Sequence, residues 1–158
     1  MSMTMQIHAV PAETYQGYVD DPDSLVAWLD VVLEEAEDDD DVLYLEKDWD
    51  AVGRLIAGDA EGLLGIGEPI GDEDLGYGPP VGLGPEQVER LAARLAAIDA
   101  AEVDAWLASP AYTDDPPYPY LGGGFPVAEV REDVLRALAG LKALVARSAG
   151  MGWVLLLD

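Results

Sequence analysis

The chain has 158 residues, 50% of them hydrophobic, with a mean hydropathy of +0.08 and a formal net charge of −24. One domain spanning residues 1–158 fits that length, with a core able to bury roughly 70% of the unfolded surface, and the apolar content excludes wholesale disorder. An acidic field repels phosphate backbones and anionic leaflets, so nucleic acid and membrane surfaces are disfavoured as partners while basic proteins or cations are attracted.

The charge is uneven: 21 acids face two bases in residues 1–85, and 11 face six in residues 86–158. Solubility or a compositional bias explains such acidity as readily as a partner does. Cysteine is absent, which removes disulfides, thiol nucleophiles and thiolate metal sites. The N-terminal MSMTMQIHAV has no basic leader or long apolar region, and the expected compartment is the cytoplasm.

In chain order, Met3 to Val10 alternate loosely as a first strand, and Pro11 starts a short helix. Asp23 or Ser24 caps a helix whose Leu25, Trp28, Leu29, Val32 and Leu33 form one apolar stripe. Seven acids in the eight positions Glu34 to Asp41 should end it in a solvated loop, and they lack the spacing that wraps calcium. Val42 to Leu45 is a strand or turn leading through Asp48-Trp49-Asp50 into a helix stopped by Gly58, with Trp49 as a core anchor.

Residues Gly62 to Pro85 hold eight of the 17 glycines and four of the 11 prolines, a stretch that connects sheet to helix. Gly84-Pro85-Glu86-Gln87 opens a helix carrying Val88, Leu91, Ala92 and Leu95 inward, with Glu86, Arg90 and Arg94 outward. Asp99 with Glu102 starts the next helix, and Ser109-Pro110 stops it. Pro110 to Pro126, with five prolines and three tyrosines, is a long loop. Val130 to Ser148 is the clearest helix, and Trp153 to Leu157 is a strand apolar on both faces, hence central in a sheet.

Familiar chemistry is missing. His8 has no second imidazole or thiol to join it in a metal site and is expected to be a satisfied core residue. The serines Ser2, Ser24, Ser109 and Ser148 lack a nucleophile-elbow context. Gly65-Ile66-Gly67-Glu68-Pro69-Ile70-Gly71 misses the dinucleotide fingerprint by one position and leads into acids. With 32 acids, sequence spacing cannot show which two share a cleft.

Three segments carry a family resemblance: LEKDWDAVGRLIAG at 45–58, IGDEDLGYGPPVGLGPEQV at 70–88 and the closing helix and strand through GWVLLLD. In that order they resemble the YfbM-like family of small bacterial proteins, a domain of unknown function, with Asp74 to Pro79 the most specific part. The resemblance implies an α/β fold in three layers, helices packed on both sides of a sheet. It supplies no catalytic residue or cofactor.

The expectation is a non-enzymatic binding or regulatory protein acting through protein contacts, with a basic partner, no metal and no cofactor. The alternative is a small-molecule site or enzyme in a cleft by the glycine stretch, where Tyr77 stands near Asp72, Glu73 and Asp74 in sequence. Tyr112, Tyr118 and Tyr120 of the proline-rich loop are further candidates for a binding surface.

Overall fold

The loosely alternating first strand and the all-apolar last strand set the architecture. In this computed structural model, residues 3–35, 41–46, 48–59, 61–75, 77–118, 120 and 125–157 are described, the side chains of residues 32–35 excepted. The elements are β1 (Met5–Val10), α1 (Ala12–Asp20), α2 (Pro22–Glu35), β2 (Val42–Leu45), α3 (Trp49–Ala57) and α4 (Gly62–Ile66). They continue as β3 (Glu68–Pro69), β4 (Val81–Leu83), α5 (Pro85–Ala97), α6 (Ala100–Leu107), α7 (Pro110–Thr113), α8 (Val127–Arg147) and β5 (Gly152–Leu157). The strands form one antiparallel sheet in the order β2-β1-β5-β4-β3. The all-apolar β5 is its central strand, as its composition predicts.

Side-chain parity divides the core. Met5, Ile7, Ala9, Trp153 and Leu155 join the larger apolar cluster with Val52, Leu55, Leu91, Leu95, Val103, Leu138 and Leu141 from α3, α5, α6 and α8. Val10, Val154 and Leu156 join a smaller one with Tyr15, Tyr18, Leu25 and Leu29 from α1 and α2. The Tyr15 ring lies directly on the sheet because two strand positions are glycine: a Cβ on Gly152 would stand 2.6 Å from Tyr15 Cγ, and one on Gly82 2.6 Å from its Oη. Burying each large apolar side chain contributes roughly 1.5–3 kcal/mol.

Several local expectations hold and others shift. Gly84 N–H donates to Gln87 Oε1 at 2.7 Å, and Glu102 N–H donates to Asp99 Oδ1 at 2.9 Å, so α5 and α6 start where their capping residues predict. Helix α2 starts at Pro22, earlier than Asp23 or Ser24, because the Asp21 carbonyl accepts from both the backbone N–H and the hydroxyl of Ser24. The glycine stretch is more structured than a connector, holding α4, β3 and β4, and the proline-rich loop contains α7. Arg94 is no ordinary surface residue: it donates to the carbonyls of Leu55 and Ile56 at the end of α3 and pairs with Glu102 at 3.0 Å. The acids of residues 36–40 lie outside the described residues. Among the described residues no helix is long and apolar enough to cross a membrane.

Candidate functional site

The residues singled out in the sequence separate in space. Asp72, Glu73, Asp74 and Tyr77 lie on an exposed turn, with Tyr77 at 45% exposure. Asp74 Oδ1 accepts from Gly78 N–H at 2.8 Å, and Leu75 N–H donates to the Gly78 carbonyl, so this carboxylate closes a turn. Tyr112 is buried against Trp106, with ring centroids 5.3 Å apart. Tyr118 is half-buried: its backbone N–H donates to Asp50 Oδ2 at 2.8 Å and its hydroxyl accepts from Met3 N–H at 3.0 Å. Arg54 holds the same loop through the carbonyl and carboxylate of Asp115. These contacts fasten the loop onto α3.

Tyr120 leads to a different place. At 1% exposure it donates its hydroxyl proton to Asp133 Oδ2 at 3.0 Å, and Asp133, on α8, is itself buried. Arg136, one turn further along α8, reaches Asp133 Oδ1 at 3.4 Å from an exposed position. Asp48 stands across from them at the start of α3, 7% exposed, and its Oδ1 has no hydrogen-bond partner among the described residues. A cleft of about 430 Å³ is bounded by Leu43, Tyr44, Leu45 and Glu46 along β2, by Asp48, and by Arg136, Ala137 and Gly140 on α8.

The electrostatics follow from burial. Desolvation pushes the Asp48 carboxyl above its ordinary value; its own backbone N–H opposes this, Asp133 and Glu46 add to it, and Arg136 offsets part. Burial, then the charge and hydrogen bond of Asp133, push the Tyr120 phenol far above the ordinary 10.0, so it stays a proton donor. The cleft wall therefore carries two acids, Glu46 and Asp48, and one guanidinium, Arg136, whose other contact is the buried Asp133–Tyr120 pair. Such a set accepts a cation or a strong hydrogen-bond donor. Among the described residues no group of three or more His, Cys, Asp or Glu could hold a metal ion.

Sequence reasoning missed Asp48, Asp133 and Arg136. The available signal was an aspartate directly before Trp49 at a helix start, and another on the otherwise apolar face of the longest helix. The remaining candidates resolve as core. His8, 1% exposed, places Nε2 3.1 Å from Gln6 Oε1 and packs edge-on to Trp28. Ser148 donates to the Leu144 carbonyl and accepts from Trp153 Nε1, and Trp49 packs against the larger cluster while donating to the Met3 carbonyl. A second hollow of about 530 Å³ between α5 and α8, lined by Val88, Ala92, Val145 and Ala149 among others, contains no buried charge.

Comparison with known proteins places the chain without assigning an activity. Residues 1–152 match the family model described as Domain of unknown function (DUF1877). No curated protein matches. A solved structure, the protein of unknown function YfbM from Escherichia coli, is similar over 100% of both chains, with a TM-score of 0.67 and 14% sequence identity. That likeness is one of fold.

Proposed function

We propose the function of this chain, which belongs to the DUF1877 family, from its cleft: a non-enzymatic binding protein that receives a cationic group of a basic partner protein between β2 and α8. The observation that carries this is Asp48, a carboxylate buried at the cleft with an oxygen that has no hydrogen-bond partner among the described residues. A lone buried carboxylate is costly, and an incoming lysine or arginine offsets that cost while meeting Glu46 on the same wall. The overall −24 charge steers the same class of partner and opposes nucleic acid and anionic membranes. A cytoplasmic, bacterial setting suits a chain without cysteine. Three layers suit the division of β1 and β5 side chains between two apolar clusters, with α1 and α2 on one side.

The test separates a site from a diffuse field. A synthetic nonapeptide alternating lysine and threonine is titrated by calorimetry at low salt against the parent, against Asp48→Asn, and against the triple variant Asp72→Asn/Glu73→Gln/Asp74→Asn. One lost charge at Asp48 should weaken binding at least about tenfold, and three lost charges on the exposed turn less than about twofold. Equal or reversed effects would reduce the binding to bulk charge and remove the proposal.

A further inference from the structure

Resting on the cleft assignment above, we infer that the partner docks as an extended segment added to the outer edge of β2, with a lysine or arginine entering the cleft beside α8. The sheet order ends at β2, and no described strand lies beyond it. Ala9 N–H donates to the Asp41 carbonyl at 2.8 Å, one step beyond the His8↔Val42 register, which makes Ala9/Asp41 a hydrogen-bonded pair. Alternation along an antiparallel ladder then gives the bonded positions to Leu43 and Leu45 and turns the backbone N–H and C=O of Val42 toward the outer edge.

This edge has the composition of a docking strand. Its residues are Val42-Leu43-Tyr44-Leu45, with none of the lysine or proline that blunts exposed edges. Helix α8 runs beside it and presents Ala137 and Gly140 to the cleft. A Cβ on Gly140 would stand 3.0 Å from Leu43 Cδ1, so the glycine keeps the cleft floor at backbone depth. Strand addition beside a flanking helix uses main-chain hydrogen bonds for affinity and the cleft for the side chain that specifies the ligand. Glu46 and Asp48 on the cleft wall make that side chain cationic. A second copy of this chain is a poor occupant, because each copy carries −24.

The experiment uses the full chain and a displayed library of random nonapeptides. Selected peptides should share one lysine or arginine at a fixed position, flanked by alternating β-branched or aromatic residues. A backbone N-methyl scan of the best peptide should then weaken binding about tenfold or more at alternate positions, since only every second amide faces β2. Val42→Pro, which removes an outward N–H and leaves the bonded positions of the β1 ladder intact, should weaken binding to a similar degree with the melting temperature changed by only a few degrees. An N-methyl scan without alternation overturns strand addition, and the cleft assignment survives it if Asp48→Asn still weakens the peptide. Failure to select any peptide, or indifference to Asp48→Asn, removes both.

Discussion

Two tyrosine-and-acid groups in this molecule share the same chemistry and differ in burial. The turn at 72–77 sets Tyr77 near Asp72, Glu73 and Asp74 on an exposed surface, where water screens their charges. Beside the cleft, Tyr120 is buried against Asp133, and Asp48 lines the cleft itself between β2 and α8. In the second group, burial pushes both the Asp48 carboxyl and the Tyr120 phenol upward. Identical residue types become a site where desolvation makes their interactions large.

Paired truncations give the largest expected contrast. Tyr120→Ala empties a fully buried position and strips Asp133 of a donor, and should cost about 3–5 kcal/mol in urea unfolding, against less than about 0.5 kcal/mol for Tyr77→Ala. Tyr120→Phe isolates the hydroxyl: leaving Asp133 Oδ2 without that proton should cost about 1–3 kcal/mol, and Tyr77→Phe should be neutral. Equal costs for the two tyrosines would erase the distinction between the regions.

A smaller effect tests the sign of the Asp48 shift. Its folded carboxyl lies above the ordinary 3.8, so the native state keeps a proton that the unfolded chain releases as pH climbs past that value. Ionisation of Asp48 therefore weakens folding over that rise. Asp48→Asn removes the penalty and should be more stable than the parent at neutral pH by about 1 kcal/mol, allowing for screening at the cleft mouth. The gain should shrink as pH falls and close below the ordinary 3.8, where the parent aspartate becomes protonated in both states. Thermal melts across that range read it directly; a variant less stable at neutral pH would reverse the assignment.

The smallest expected change in stability is Gly140→Ala. Helix propensity favours alanine by up to about 1 kcal/mol, and the 3.0 Å approach to the half-buried Leu43 opposes it, so unfolding should move by less than about 1 kcal/mol. The peptide of the calorimetric test should nevertheless bind less tightly, because a methyl group fills the cleft floor. Unchanged affinity would place the ligand elsewhere on the acidic surface.

Local pattern determined much of this protein. The apolar run 153–157 dictated a central strand, the periodicity of Val134, Leu138 and Leu141 dictated α8, and Gly84-Pro85 and Asp99-Glu102 fixed two helix starts. Asp74 to Pro79 marked the family. Each of these signals is written within a few residues, because helix and strand periods and capping hydrogen bonds are short-range. The short strands β3 and β4 escaped notice because two or three residues beside glycines show no periodicity and are strands only through their neighbours in the sheet. The cleft lay deeper still. Asp48 at the cleft and Asp133 buried beside it are 85 positions apart and look like any of the other acids among 32. Only the packing of α8 beside β2 withdrew those two from water, and water, through desolvation, decides which carboxylate has chemistry to offer.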